Sequence, residues 1–268
     1  MPKGAPEKKF EQYLESPPTG TLSMSDYVSC PAVAFLKSVC EAHDAFAHCM
    51  NKFTTKKNGG YNKDSKDSLH HVGVALVATT MGHFETYQKG LFAGLLERSR
   101  HFEKFDEKLV SKGLGDPQID LTRFFSYRGA AAPVGLTIAD ALPRWHSPSA
   151  VNGYFQALGV KRDAYSSADK DDLTVLWQLR HSIVHTAGWL TLPDAQKVAR
   201  LSKHGDHGVA FKDTFVAAMA RKLHKVVKNA NSQLLQGATA ALGTTPDPSV
   251  VSELAAFLEV KSPKPTWL

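Results

Sequence analysis

The sequence predicts an all-α protein, built as a bundle of helices with shorter helices at its periphery. Apolar residues recur at intervals of three and four along several long segments, which is the period of an amphipathic helix. No segment shows the apolar–polar alternation of a half-buried strand, and no internal repeat is evident. Hydrophobic residues make up 43% of the 268 residues, enough to form a substantial core. We therefore expect one helical domain.

The N-terminal segment is poorly suited to a stable helix. Residues 1–22 are charged and then rich in Pro, Ser and Gly, so we expect a mobile lead-in with at most one short helix. The domain itself is predicted to span residues 23–240. Helical spacing predicts its first helix from Met24 to Phe53, with Ser25 as a plausible cap, and a polar loop follows over residues 56–67.

A second, longer helix is predicted from Ser68 to Lys112, because apolar residues keep the three-four spacing through its middle. Gly113 is expected to end this helix in the left-handed conformation. The pair Asp116–Pro117 is typical of a helix N-terminus and predicts a short helix through about Tyr127. A single helical turn is expected between Thr137 and Leu142.

Two further helices are predicted in the middle of the chain. The pair Ser147–Pro148 repeats the cap-and-proline pattern, and the helix that it begins runs to Leu158. The next helix spans about Lys170 to Ala187, and Gly188 lies just past its end. The helix predicted over Lys170–Ala187 carries the arginine and the two histidines described below.

The last long helix is predicted over Phe211–Leu235, after a loop at Leu201–Gly208. Four basic residues of this helix lie away from its apolar stripe: Arg221, Lys222, Lys225 and Lys228. They either form a solvated face or contact an RNA backbone. A shorter helix, Ser249–Val260, and a Pro-rich tail make up a C-terminal segment over residues 241–268.

Charge and cysteine content narrow the class of protein. The net charge of +6 favours a polyanionic partner. The three cysteines, Cys30, Cys40 and Cys49, are odd in number and form no Cys-x-x-Cys, which argues against a disulfide framework or a zinc knuckle and favours the cytoplasm. The N-terminus lacks the apolar stretch of a signal peptide, and no run of apolar residues is long enough to span a membrane.

An arginine and two histidines interrupt the apolar run from Leu176 to Gly188. A core helix gains nothing from such groups, because each must find a partner or reach water. His181 and His185 are four residues apart and therefore project from one face. Arg180 lies about 100° around the helix from His181, and its long side chain can reach the same cleft. Such breaks in an otherwise regular pattern indicate a functional site.

These residues carry a resemblance to a known family. Arg-x-x-x-x-His with a polar residue after the Arg, then Ile-Val-His and a Gly three residues later, resembles the HEPN superfamily of helical ribonucleases. The segment from Asn152 to Val160 looks like the short helix before the motif helix in the RiboL-PSP-like branch. The segment Gly82–Glu97, with Glu85 inside an apolar helix, looks like an early core helix of that branch. The resemblance covers roughly residues 25–237, with its specific part at residues 176–188.

The resemblance implies a bundle of four to five core helices and a metal-independent endoribonuclease without a cofactor. It implies a homodimer in which the motif helices of both protomers face one cleft. His185 then removes the proton from the RNA 2′-OH, and Arg180 stabilises charge on the phosphate oxygens. His181 protonates the leaving oxygen or orients the site. The products are a 2′,3′-cyclic phosphate and a 5′-hydroxyl, and the biological setting is a toxin or phage-defence effector, with an antitoxin or regulatory partner as a further possibility.

Other interpretations of the same residues stay open at this point. Arg180 and His185 could pair with buried carboxylates such as Glu85 or Asp172 in a purely structural network, and Glu85 is expected to give structural support. No third ligand joins the two histidines, so no metal site is predicted. Near Arg144, two aromatic residues are expected either to stack on bases or to be buried; they are Trp145 and Tyr154. The alternative function is a non-catalytic helical module that binds RNA, a nucleotide or a protein partner.

Overall fold

The computed structural model describes residues 9–57, 59–119, 122 and 134–268, and it is an all-α fold, as the sequence predicts. The elements of the described ranges are α1 (Met24–Ser29), α2 (Pro31–Lys52), α3 (Lys63–Arg98), α4 (Glu107–Gly113), α5 (Val134–Ala141), α6 (Pro148–Ala157), α7 (Ser167–His185), β1 (Trp189–Leu190), α8 (Leu192–Gln196), β2 (His207–Gly208), α9 (Phe215–Ala241) and α10 (Pro248–Phe257). None of these helices combines the length and the apolar character that crossing a bilayer requires.

Helix α3 lies at the centre of the bundle. Helices α1, α2, α5, α6, α7 and α9 all contact it. Its middle is therefore buried on several sides, and small residues allow close approach: a Cβ at Gly94 would collide with the ring of Phe257 in α10. The main core is rich in aromatic side chains that are fully buried, among them Phe35, Phe84, Tyr87, Phe92, Phe155 and Tyr165.

Buried polar side chains tie the helices of this core together. The Tyr87 hydroxyl donates to Asn231 Oδ1 at 2.7 Å, and Asn231 Nδ2 donates to the Leu258 carbonyl at 3.0 Å. In the same way Asn152 exchanges two 2.9 Å hydrogen bonds with the backbone of Tyr165. These bonds satisfy groups that would otherwise be costly to bury. They join α3 to α9 and to the end of α10, and they join α6 to the residues just before α7.

The prediction of one long helix from Ser68 to Lys112 is wrong, because this segment forms two helices, α3 and α4. Helix α3 begins earlier, after the cap Asn62, and ends at Arg98, where a 3-10 turn over Ser99–His101 follows. Asp106 then starts α4, since its carboxylate accepts hydrogen bonds from two backbone N–H groups at 2.9 and 3.1 Å. The Asp106 cap therefore starts a new helix, although the apolar spacing of the sequence continues across the break between α3 and α4.

The end of α4 also differs from the prediction. Gly113 is its last residue, and the left-handed positions are instead Gly115, with φ 80°, and Asp116, with φ 47°. Asp116 is therefore not the N-cap of a following helix. Of the short helix predicted through Tyr127, residues 117–119 are not helical, and residues 120–121 and 123–127 lie outside the described residues.

Several other boundaries shift for local reasons. The first predicted helix is divided at Cys30, since α1 is capped by Ser23 rather than Ser25, and Pro31 opens α2 as a first-turn proline. The turn expected at residues 137–142 is the longer α5. The last long helix is displaced from its prediction of Phe211–Leu235 to Phe215–Ala241.

Candidate active site

Helix α7 is defined by strong local signals at both ends. At its start the Ser166 hydroxyl accepts from the Asp169 N–H at 3.2 Å, and the Asp169 carboxylate accepts from the Ser166 N–H at 3.3 Å. At its end Ala187 and Gly188 adopt left-handed conformations, with φ 53° and 80°. The Gly188 N–H donates back to the Ser182 carbonyl at 2.9 Å, which closes the last turn. The helix therefore stops at His185, the last residue of the motif.

The chain that follows α7 folds back to form a wall beside it. Strands β1 and β2 pair antiparallel, with Trp189 opposite Gly208, and Thr191 caps α8. A small apolar cluster packs this wall onto the end of α7; it consists of Leu179, Leu190, Ala195, Val198, Leu201 and Val209. The loop predicted at Leu201–Gly208 is accordingly a 3-10 helix over Ala199–His204 followed by β2. Strands of two residues are too short to show an alternating pattern.

A cavity of about 440 Å³ lies between α7, this wall and the centre of α3. Its volume is in the range of small-ligand sites. The side chains that line it are Glu85, His146, Thr174, Trp177, Gln178, Arg180, His181, His185, Lys197 and Val198. The structure thus brings the predicted residues Arg180, His181, His185 and Glu85 to one cavity.

The two histidines lie side by side at the mouth of the cavity. The ring centroids of His181 and His185 are 4.8 Å apart, and the ring planes are inclined by 44°. Both residues are exposed. They project from one face because one helical turn separates them. Neither ring has a carboxylate within ion-pair distance among the described residues, so both are available to a ligand.

Arg180 lies half-buried beside them and forms no ion pair with a described residue. The two carboxylates that could have held it are engaged elsewhere. Glu85 pairs with Lys89 at 3.0 Å, and Asp172 pairs with two other cations. The structural network considered for Arg180 and His185 is therefore not formed with either carboxylate. An arginine without an acidic partner at the edge of a cavity is suited to binding an anion.

Glu85 is held from behind by a lysine. Lys89 Nζ lies 3.0 Å from Glu85 Oε1 and 3.2 Å from Asp140 Oδ1. Burial by itself would lower the pKa of Lys89, but hydrogen bonds and charge from the two carboxylates raise it above its ordinary value. The lysine is therefore charged, and it fixes the Glu85 carboxylate at the cavity wall.

Lys197 reaches the cavity from the end of α8. Its Nζ lies 2.7 Å from Asp194 Oδ1, and the Thr191 hydroxyl donates to the other oxygen at 3.0 Å. These two hydrogen bonds lower the pKa of Asp194 against the opposing effect of burial, and the nearby His181 adds a smaller contribution in the same direction. The site thus has a second cation in a fixed position, which the sequence analysis did not single out.

Unsatisfied donors are concentrated beneath this cavity. Trp177 Nε1, Gln178 Nε2 and Arg180 Nε are buried without a hydrogen-bond partner. Each such group costs about 1–3 kcal/mol, and native proteins tolerate this cost chiefly where function requires it. The three atoms are sealed from solvent here, so an acceptor reaches them only when these side chains shift.

The basic residues of α9 do not join the cavity. Lys222 Nζ lies 2.6 Å from Asp172 Oδ2, and Arg200 pairs with the same carboxylate at 2.5 Å. Nine residues separate Asp172 from His181, which places them about 180° apart around α7. Lys222 therefore lies behind the motif helix. Arg221 is placed over the ring of Trp267 at 5.9 Å, and the two remaining cations are exposed; they are Lys225 and Lys228.

Of the other candidates, the two aromatic residues are buried. Trp145 and Tyr154 are packed against Phe92 in the main core, so the interpretation as base-stacking surfaces is wrong for both. Six cavity residues were not predicted from the sequence: His146, Thr174, Trp177, Gln178, Lys197 and Val198. Trp177 and Gln178 lie on the same helical face as His181, and this spacing alone could have identified them. His146 and Lys197 come from separate segments and had no such signal.

Comparisons with protein-family models, with curated proteins and with solved structures found no match to this chain. Within the described residues, no group of three or more His, Cys, Asp or Glu side chains is placed so that it could hold a metal ion. The cavity and its side chains are therefore the features that indicate a function.

Proposed function

We propose that the protein is a HEPN-type endoribonuclease that cleaves RNA without a metal ion. The observation that carries the proposal is the arrangement of Arg180, His181 and His185 at one cavity, with no carboxylate of the described residues within ion-pair distance of any of them. Two imidazoles and one guanidinium supply a base, an acid and a permanent cation. RNA is a substrate that reacts with so few groups, because it carries its own nucleophile.

The reaction begins at the ribose 2′-OH. His185 removes its proton, and the oxygen attacks the adjacent phosphorus to form a bond there. The bond from phosphorus to the 5′-oxygen breaks, and His181 donates a proton to that leaving oxygen. The products are a 2′,3′-cyclic phosphate and a 5′-hydroxyl, and no electrons are gained or lost. DNA lacks the nucleophile and is left intact.

Arg180 stabilises the charge that develops on the nonbridging phosphate oxygens. Its guanidinium presents a planar fork of donors that matches a phosphate. Lys197 lies at the opposite wall, where its ion pair with Asp194 fixes it, so Arg180 is the cation of the cavity lining that has no acidic partner among the described residues. A cation that is already in position stabilises the transition state without a cost for reorganisation during the reaction.

We further propose that the active form is a homodimer. Three large apolar side chains at the end of α7 and in the wall that follows it are exposed: Val184 at 48%, Trp189 at 48% and Leu192 at 51%. Exposed apolar side chains on the segment that carries the motif favour a surface that another protein covers. A second copy facing this surface would bring its own Arg180 and His185 to the same cleft.

The direct test is incubation of the purified protein with total RNA, with and without EDTA. Cleavage that EDTA leaves unchanged supports the proposal. His185→Ala is expected to lower the rate by about 10²–10⁴-fold, and Arg180→Ala by about 10²–10³-fold. His71→Ala and Arg100→Ala are matched controls at exposed positions outside the cavity.

The outcomes separate the enzyme from a binding module. If the wild-type protein leaves RNA intact under all conditions, the enzyme proposal is wrong and a non-catalytic function is favoured. If EDTA abolishes cleavage, the metal-free mechanism is wrong. Growth arrest on expression in cells, relieved by His185→Ala, would support a role as a toxin or defence effector.

A further inference from the structure

The cavity has two chemically different ends along α7. Its outer end holds the cations and histidines: Arg180, His181, His185 and Lys197. Its inner end lies one to two turns earlier on the helix, at Trp177, where the His146 ring approaches with centroids 6.5 Å apart. Phe84, the neighbour of Glu85, lies near the same indole, with ring centroids 6.3 Å apart. A phosphate fits the outer end, and the inner end is left for the nucleoside.

Glu85 is the one carboxylate among the described residues that line the cavity. Its side chain is 33% exposed, and Lys89 engages only Oε1. A carboxylate has about four lone-pair sites, so both oxygens keep capacity for a ligand. Because Lys89 holds the group from behind, its acceptor edge is presented in a fixed orientation.

A fixed carboxylate distinguishes between the four nucleobases. Two adjacent N–H donors match its two oxygens, and guanine offers this pair on its Watson–Crick edge through N1–H and the 2-amino group. Adenine and cytosine present an amino group beside a ring-nitrogen acceptor, and uracil presents one N–H between two carbonyls. An acceptor facing the carboxylate is repelled. We infer that Glu85 selects a guanosine next to the scissile phosphate, an inference that rests on the proposed function.

The side chains around Glu85 suit a planar base. His146 is exposed at the edge of the inner end and offers a ring face for stacking. Gln178 lies on the same side of α7 and is half-buried, and its amide can adapt to the remaining base edge. The cavity of about 440 Å³ is large enough for a nucleotide.

Two measurements test this inference. The first is binding of the 3′- and 5′-monophosphates of guanosine, adenosine, cytidine and uridine, followed by calorimetry. A guanosine monophosphate is expected to bind roughly 5- to 150-fold more tightly than the others, the range for a bidentate base contact. The second is mapping of cleavage positions in an RNA of mixed sequence, where cuts should lie beside guanosine. Glu85→Gln should remove both preferences, because its amide presents one acceptor and one donor.

Asp140→Asn is the matched control, since it removes the other ion pair of Lys89 and leaves the Glu85 carboxylate in place. It should keep the preference for guanosine, and circular dichroism shows whether each variant is folded. Guanosine binding without any RNA cleavage would support the inference and overturn the proposed function. Cleavage with no guanosine preference, or a preference that Glu85→Gln retains, would overturn the inference alone. Absence of both binding and cleavage would overturn both.

Discussion

The imidazole rings of His181 and His185 lie 4.8 Å apart, one turn from each other on the exposed face of α7. Both rings are exposed at the same cavity, so both can reach one phosphodiester. A reaction with one acid and one base requires two such groups. We expect the rings to act as a unit.

The first prediction is that losses from the two histidines do not multiply. His181→Gln and His185→Gln each remove one half of the acid–base pair, and the double variant should lose little more than the worse single one. The measurement is kcat/KM on one defined RNA for all three variants. Losses that multiply across the two positions would mean that the rings act independently.

The second prediction concerns the basic side of α9. Arg221, Lys225 and Lys228 have no acidic partner among the described residues, whereas Lys222 is already neutralised by Asp172. Replacing any of the first three by Ala should reduce the salt dependence of RNA binding by roughly 0.7 in log–log slope if that residue contacts a phosphate of single-stranded RNA. Lys222→Ala should change it less. Fluorescence anisotropy at several salt concentrations measures this slope, and equal effects at all four positions would be contrary to the prediction.

The third prediction concerns assembly. Leu192→Glu places a charge in the exposed apolar surface formed by Val184, Trp189 and Leu192, and it should convert a dimer to monomers, with loss of cleavage. Leu109 in α4 is also an exposed apolar residue, at 66%, and Leu109→Glu is the matched control. Analytical ultracentrifugation gives the oligomeric state. A wild-type protein that is monomeric and fully active would rule out the composite site.

The fourth prediction uses the backbone after α7. Ala187 adopts a left-handed conformation, with φ 53°, which costs an L-residue about 1–2 kcal/mol. Glycine has no such penalty, although it loses more entropy on folding. Ala187→Gly should therefore raise the free energy of unfolding by a few tenths to about 1 kcal/mol. Urea denaturation measures this free energy. A clear loss of stability would show that the contacts of the Ala187 methyl group contribute more than the backbone strain costs.

The fifth prediction is acid sensitivity at His224. This residue is fully buried, and its Nδ1 donates to the Ala220 carbonyl at 2.7 Å while Nε2 accepts from the Ser262 hydroxyl at 2.8 Å. Burial lowers its pKa, the Ala220 carbonyl opposes this, and the charge of Lys264 adds to the lowering.

The direction of the pH effect follows from this lowered pKa. Above pH 6.5, the ordinary value for histidine, the ring is neutral in both states. Below pH 6.5 the unfolded chain binds a proton that the folded protein does not. The free energy of unfolding therefore decreases as the pH is lowered. His224→Gln should flatten this slope between pH 6.5 and 5 in urea titrations. His83, which is half-buried and also has a pKa lowered by burial, remains as a second source of the same slope.

The sequence predicted what local chemistry determines. The motif helix was expected over Lys170–Ala187 and lies at Ser167–His185, because the Ser166 cap and the Gly188 turn act on neighbouring residues alone. Glu85 was noted because a charge interrupted an apolar helix. Its partner Lys89 lies four residues later, within reach of the same reasoning.

The rest of the site depends on which distant segments meet. His146 and Lys197 reach the cavity from loops on either side of α7, and no periodicity relates them to Arg180. For Lys222 the sequence pattern suggests a grouping that the fold does not keep. A helical wheel groups it with the other cations of α9, but Asp172 on a different helix neutralises it. Such pairings follow from tertiary packing.

The wall that carries Lys197 rests on an apolar cluster of its own, apart from the main core. Residues 189–209 are therefore expected to open as a cooperative unit at a lower free energy than the whole bundle. The histidines would stay on α7 during such an opening, while the facing cation and half of the cavity would be lost. The lifetime of the binding site is thus shorter than the lifetime of the fold, and a melting temperature from helical content would overstate the range in which the protein is active.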